Sequence, residues 1–504
     1  MALSFVQKPV ASSHKIPVIT NWNPVVGYML YESSISGLFY FKLVLEVYIG
    51  SSATASRKIA KLKQRRNGYD ADVSGNRARA YFDLRDVVNS QLVDTVYDQP
   101  NWLNNDTQLT IHKIGANDDA TIYSWNGDGS QTYGDDSTPK TQLVQIHVVG
   151  YQNYSEAANE SPIDRESVDS VTHTKWWTMA SLPLLTPRDT DTQYLQSSAF
   201  DDYQLKDSGA YLLTDVQKSA GAIKSGTSYR NYVQDTDYHT IGFLNGETDF
   251  ESLGKFFAVE YYDSDNAIIV NSSDASTVNY FENKYTNGGA KPQAGVEVDT
   301  DKERLLYFGC GPSNLQEQNV NYLARPSYFP NWVYYKIYAA DAGTGTPNKK
   351  SNSYYFFKQD GSCKGFKVRR LAWRNSLGCW DYFNFKMKSE QSIKIERNTY
   401  SNMLGNFNRE YFTYNDSQRG KATRQTTAML QETLNTDWLT EQDAQLLEKL
   451  LVSTNVEMVE NADTTYTQPV MVTDSSFVRK TVANDKMIQY TIKIDYANNI
   501  NTNS

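Results

Sequence analysis

Residues 373–385, WRNSLGCWDYFNF, followed by MKSEQSIKIERNTY, set two aromatic-rich runs on either side of a short Asn-Ser-Leu-Gly turn. Gly378 can take the positive φ that such a turn requires, while Trp373, Trp380, Phe383 and Phe385 supply large apolar area to a pleated surface. The pattern predicts a hairpin built into a core in preference to an aromatic patch that stacks on a ligand. It carries no grouping of catalytic side chains.

At 504 residues the chain exceeds one ordinary core, and roughly three or four units are expected. The expected fold is mainly β, with several antiparallel sandwich- or barrel-like units and a few short helices. Its expected divisions are an N-terminal sandwich-like domain over 1–100, a central β-rich region over 101–340 with room for two subdomains, and a C-terminal β module over 341–504.

Alternation supports this division. Phe39, Phe41, Leu43, Leu45 and Val47 define one strongly apolar face of a long strand. Asp83 stands where an N-cap would open a short helix carrying Leu84, Val87, Val88 and Leu92. The runs TQLTIHKI, ATIYSW and TQLVQIHVVGY predict a meander or hairpin set, and FFAVEYYDS with AIIVNS predicts a hairpin across 263–266. Near the end, TEQDAQLLEKLL predicts a helix over about 440–452, capped by Thr440 and stapled by Leu439 on Ala444. Ile488, Tyr490, Ile492, Ile494 and Tyr496 form one face of a last strand.

A net charge of -9 argues against a surface that coats nucleic acid, which needs basic patches. The local exception is RKIAKLKQRR, where Arg57, Lys58, Lys61, Lys63, Arg65 and Arg66 crowd together as a candidate electrostatic interface. Replacing the six with serine is expected to spare folding and weaken assembly. Cys310, Cys363 and Cys379 are odd in number and without a C-x-x-C pair, so neither a disulfide framework nor a zinc ribbon is indicated, and a reducing cytoplasm suits them. The start, MALSFVQKPV, has no basic region followed by an apolar one, and no run approaches the ~20 apolar residues of a membrane helix. Neither membrane insertion nor secretion by a visible signal is expected.

The five histidines, His14, His112, His147, His173 and His239, stand apart without metal-ligand spacing. No nucleophile elbow, P-loop or dinucleotide fingerprint is present. Asn126, Asp128 and Ser130 alternate as in a calcium loop, but Gln131 and Ser137 replace its glycine and bidentate acid. Asp201, Asp202, Glu247 and Asp249 are no more suggestive of a glycosidase pair than other carboxylates. No catalytic, cofactor or metal site is therefore expected.

The small turn residues ahead of Trp-Asp-Tyr-Phe, with the strand, helix and terminal strand that follow, resemble a C-terminal module of virion structural proteins of tailed bacteriophages. That resemblance covers about Phe366 to Tyr496 and extends more loosely to FYFKLVLEVYIG and YFDLRDVV. It departs at Cys379, where a glycine or small residue is expected. The resemblance implies a non-enzymatic tail or tail-tip component, assembled in the host cytoplasm, whose partners are other virion proteins and copies of itself in a cyclic or pseudo-cyclic arrangement. The alternative is a receptor- or carbohydrate-binding tail protein, in which exposed aromatic rings would stack on a host surface glycan. A glycan depolymerase is a further, weaker alternative.

Overall fold

The computed structural model describes residues 3–7, 18–20, 27–32, 35–49, 57–65, 77–91, 112, 122–124, 143–169, 175–178, 203, 205, 209–216, 230–244, 256–271, 275, 277–282, 305–316, 329–340, 348–359, 365–407, 409–413, 417, 420–439, 441–459, 467–474 and 488–499. The chain is mainly β, arranged in several largely antiparallel sheets, and three short helices occur among the described residues. It divides into two compact units, one of residues 1–359 with 374–381 and the other of 360–373 with 382–504.

Two sheet pairs build the first unit. A three-stranded sheet runs β1 (Leu3–Gln7), β3 (Gly27–Glu32), β6 (Ala78–Asp83). The second sheet has the order β2 (Val18–Thr20), β10 (Lys175–Thr178), β8 (Leu143–Ser155), β4 (Phe39–Ile49), β5 (Arg57–Arg65), with β9 (Ile163–Asp169) also on β8. Leu43, Leu45 and Val47 meet Leu30, Ala80 and Phe82 in a common core, which is why the alternation over β4 is so regular. Phe39 departs from that expectation and is exposed, because the next residue, Tyr40, has φ +58° and breaks the strand's pleat. β8 lies beyond residue 100, so this core draws strands from both sides of the boundary expected there.

The short helix α1 (Arg85–Asn89) follows β6, with Leu84 at its N-cap in place of the expected Asp83. Asp83 instead accepts the Arg85 backbone N–H at 3.0 Å and pairs with the same residue's guanidinium.

The second pair joins β12 (Thr240–Leu244), β15 (Leu305–Gly309) and β7 (Ile122–Ser124) with a five-stranded sheet. That sheet has the order β11 (Asn231–Val233), β17 (Tyr354–Lys358), β16 (Tyr334–Ala340), β13 (Phe256–Tyr262), β14 (Asn279–Glu282). Ile241, Phe243 and Phe308 from one sheet share a core with Phe257, Val259, Tyr335, Ile337 and Phe356 from the other. Among the described residues the expected meander or hairpin set does not join ATIYSW to TQLVQIHVVGY: β7 pairs with β15, whereas β8 pairs with β4, β9 and β10. TQLTIHKI lies outside the described residues except for His112. The hairpin across 263–266 is present as a single bridge, Tyr262 opposite Ile268. Helix α2 (Pro312–Gln316) follows β15.

The second unit is organised by a seven-stranded sheet of order β19 (Trp380–Phe385), β18 (Arg369–Arg374), β24 (Val456–Val459), β25 (Thr467–Val472), β26 (Thr491–Asn499), β23 (Lys421–Asn435), β20 (Glu390–Ser401). A small hairpin of β21 (Asn406–Phe407) and β22 (Phe412–Thr413) lies between β20 and β23 in the chain. Helix α3 (Glu441–Val452) buries Ala444, Leu447 and Leu450, and the residue before its cap position, Leu439, is buried as well. Thr440 itself lies outside the described residues. On β26 the expected face is buried at Ile492, Ile494 and Tyr496, and Asp495 is buried too because Gln431 Nε2 donates to its carboxylate at 2.7 Å. No helix among the described residues is long and apolar enough to cross a membrane.

Candidate functional site

The hairpin ends its first strand at Arg374 and turns through Asn375 to Cys379. Gly378 has φ +83°, the left-handed value its position requires. Trp373, Trp380 and Phe385 are buried, and the half-buried Phe383 meets Phe385 edge to face at 4.9 Å. Asn375 holds the turn by accepting the N–H groups of Leu377 at 3.0 Å and Cys379 at 2.9 Å, and its amide donates to the Leu213 carbonyl at 2.9 Å. Ser376 donates its N–H to Asp215 at 2.8 Å, and its hydroxyl donates to the same carboxylate.

Asp381 answers from the other strand. Its carboxylate accepts the Thr214 hydroxyl and, at 2.9 Å, the Asp215 N–H. Burial raises the Asp381 pKa to about 7, and the nearby Asp215 charge pushes the same way. These hydrogen bonds close the turn onto the segment 213–215, so the two carboxylates act as a latch between them. Cys379 sits buried against Gly242, its Sγ 3.6 Å from the Tyr307 hydroxyl, and burial pushes its thiol up to about 12. A cysteine is accommodated where a smaller residue was expected because Gly242 has no side chain.

The basic run occupies β5, an edge strand. Two of its lysines act within the chain: Lys58 and Lys61 lie 2.8 and 3.1 Å from Glu46, whose carboxylate also accepts the Tyr48 hydroxyl at 2.6 Å. Glu46 is only 4% exposed; burial works to raise its pKa, but the Lys58, Tyr48 and Lys61 hydrogen bonds outweigh that and hold it below the ordinary value. Lys61 bridges onward to Asp164. Arg57 donates to Gln91 at 3.2 Å, and Lys63 is exposed. The Arg65 side chain and all of Arg66 lie outside what the structure describes. The expectation that serine could replace the whole group without harm to folding therefore fails at Lys58 and Lys61, since Glu46 would be left buried without its cations.

A surface that the reading of motifs missed is the ribbon formed by β20 and β23. All twelve residues of β20 are exposed, and it is the edge of its sheet. Its register on β23 runs from Glu390 opposite Thr433 to Ser401 opposite Lys421, whereas among the described residues β26 pairs with β23 over Met429 to Asn435. Among the described residues the ribbon thus continues as two strands for about eight residues past the pairing with β26, roughly 27 Å at ~3.4 Å per residue. At its base the buried Glu432 accepts from Arg369 at 2.8 Å, Tyr496 at 2.7 Å and Gln391 at 3.1 Å, tying β18, β26 and β20 to β23. Ile393, Ile395, Tyr400, Met403, Leu404, Tyr411 and Phe412 stand exposed along it.

The face of the five-stranded sheet turned away from its core carries a second cluster of rings, in which Tyr334 is buried and Tyr262 and Phe357 are half-buried. Tyr262 stacks on Tyr334 at 4.8 Å, Tyr334 on Phe357 at 5.2 Å, and Arg230 lies 4.7 Å from the Phe357 ring centre. Glu260 accepts the Tyr262 and Tyr338 hydroxyls at 2.6 and 2.8 Å and pairs with Lys336 at 2.7 Å. Burial, reinforced by the Glu260 charge, raises both tyrosines above their ordinary value.

Among the described residues no group of histidine, cysteine and carboxylate side chains is placed to hold a metal ion. His112, His147 and His239 are buried; the calcium-like loop and Asp201, Asp202, Glu247 and Asp249 lie outside the described residues. No protein-family model matches this chain, and no curated protein is similar to it at a significant level.

Proposed function

We propose that this chain is a non-enzymatic structural component of a bacteriophage virion, of the tail or tail tip, and that it acts through oligomeric interfaces. The observation that supports this most is the β20–β23 ribbon. A two-stranded ribbon is marginally stable in water by itself, and an edge strand with exposed isoleucines is a template for pairing with another chain. Such a surface suits a subunit whose partners cover it after assembly. The described cysteines, Cys310 and Cys379, are buried and not joined in a disulfide, compatible with assembly in a reducing host cytoplasm.

A second reading is favoured by Tyr262 and Phe357, two partly exposed rings packed on either side of the buried Tyr334, which suit stacking on a host surface glycan or receptor. The two readings separate in one experiment: light scattering on the purified chain together with a pull-down on intact host cells. A concentration-dependent oligomer that ignores cells supports the structural reading, and a monomer or trimer retained by cells favours receptor recognition.

A further inference from the structure

We infer that the free edge of β20 pairs with β20 of a second copy of this chain, antiparallel across a two-fold axis through Ile395. The inference rests on the reading of the chain as an assembling subunit and names the partner of the ribbon.

Three observations carry it. First, among the described residues no strand pairs with the outer edge of β20, which is terminal in its sheet, and every residue from Glu390 to Ser401 is exposed, with Ile393 at 56% and Ile395 at 47%. A third strand is what a ribbon of this kind lacks for independent stability.

Second, the strand is complementary to its own reverse. With the axis on Ile395, Lys394 of each copy faces Glu396 of the other on one side of the pair. On the opposite side, Ile395 meets Ile395 and Ile393 lies diagonal to it, so four isoleucines cluster. The remaining pairs, Glu390 with Tyr400, Gln391 with Thr399, Ser392 with Asn398 and Ile393 with Arg397, oppose no like charges. Moving the axis to Lys394 or Glu396 sets a like pair face to face. An axis between Glu396 and Arg397 also opposes unlike charges, but it sets Ile395 against Asn398 and leaves Lys394 against a neutral threonine. Lys394 and Glu396 are exposed and 3.2 Å apart within one strand, so each side chain can turn to a facing strand at little cost.

Third, the ribbon differs in charge from the rest of the molecule. Its two strands over 390–401 and 421–428 hold four Lys and Arg against two Glu, while the whole chain is at -9. The acidic excess lies entirely outside the ribbon, so two copies meeting through their ribbons avoid the repulsion that two acidic bodies would feel on contact.

The test uses the full chain and three variants, Lys394→Glu, Glu396→Lys and the double exchange, each checked for folding by its thermal transition and then followed by sedimentation over a concentration series. Either single reversal places two pairs of like charges across the axis and should weaken self-association by roughly tenfold, while the double exchange restores both unlike pairs and should recover it. Recovery in the double variant would establish self-pairing, because a different partner would not compensate for both changes. Equal association of all four proteins would overturn the edge pairing while leaving an assembling subunit intact. A wild-type chain that stays monomeric throughout would also overturn it, and the reading as a virion component would then stand or fall on the chain's presence in particles. Weakening by Lys394→Glu without recovery in the double variant would overturn the pairing of β20 with itself and place another surface of the second copy against this edge.

Discussion

Replacing Asp381 with asparagine should stabilise the first unit at pH 8 and leave it nearly unchanged at pH 4. The carboxyl is fully buried, and its folded pKa of about 7 lies well above the model-peptide value of 3.8. A group raised in this way holds its proton more tightly when folded. Its stabilising contribution is complete below 3.8 and is lost as pH rises through 7. About three units at ~1.4 kcal/mol each gives a loss of about 4 kcal/mol between those limits. Asparagine keeps the oxygen that accepts the Thr214 hydroxyl or the Asp215 N–H and never ionises, so it escapes that loss. For a unit of this size about 4 kcal/mol corresponds to a rise of roughly 5 °C in the midpoint. Calorimetry of both proteins from pH 4 to 8 gives the readout, with the two midpoints expected to diverge as pH increases. Parallel profiles, or a variant equally destabilised at both ends, would show that Asp381 is not kept neutral and refute the latch argument.

The remaining expectations concern other buried partners. Replacing Lys58 and Lys61 together with serine should cost about 1–3 kcal/mol, less than for a fully buried pair because both lysines are partly in solvent, and adding Glu46→Gln should restore most of the loss in a denaturant titration. Gly242→Ala should cost about 2 kcal/mol, since its new Cβ would lie 2.3 Å from the Cys379 Sγ, and Cys379→Ala in the same chain should relieve part of it when the two melts are compared, the 3.1 Å approach to the residue 379 Cβ remaining. Glu432, opposed by burial, is held below its ordinary pKa by Tyr496, Gln391 and Arg369, so its stabilising share is present above the unfolded value of 4.5 and lost as pH falls through the folded one. Glu432→Gln should flatten that acid-side loss in a melt series between pH 3 and 6.

The parts of this fold that could be read beforehand are those whose cause is local. Gly378 announces a positive-φ turn, Leu447 and Leu450 mark one side of α3, and Ile492 with Ile494 mark one side of β26, because each pattern repeats within a few residues. The latch was illegible for the opposite reason: Asp381 meets Thr214 across 167 positions, and nothing about an aspartate in a strand says which hydroxyl it will find. The basic run misled in a similar way. Its charges were plain, but Glu46 lies on a neighbouring strand, and only the register Glu46 opposite Lys61 turns two surface lysines into partners of a buried acid. In EQSIKIERNTY the alternation of Ile393 and Ile395 is the pattern of a core strand. Exposure follows instead from where the sheet ends, a property of topology that the strand's own residues do not carry.

For the proposed virion role, the most direct measurement is quantitative mass spectrometry of phage particles purified from cells that express this chain, with the major capsid protein as the internal standard. The account requires the chain in a fixed copy number per particle that survives salt washing. Its absence from particles, or a trace amount removed by washing, would contradict a structural role in the virion.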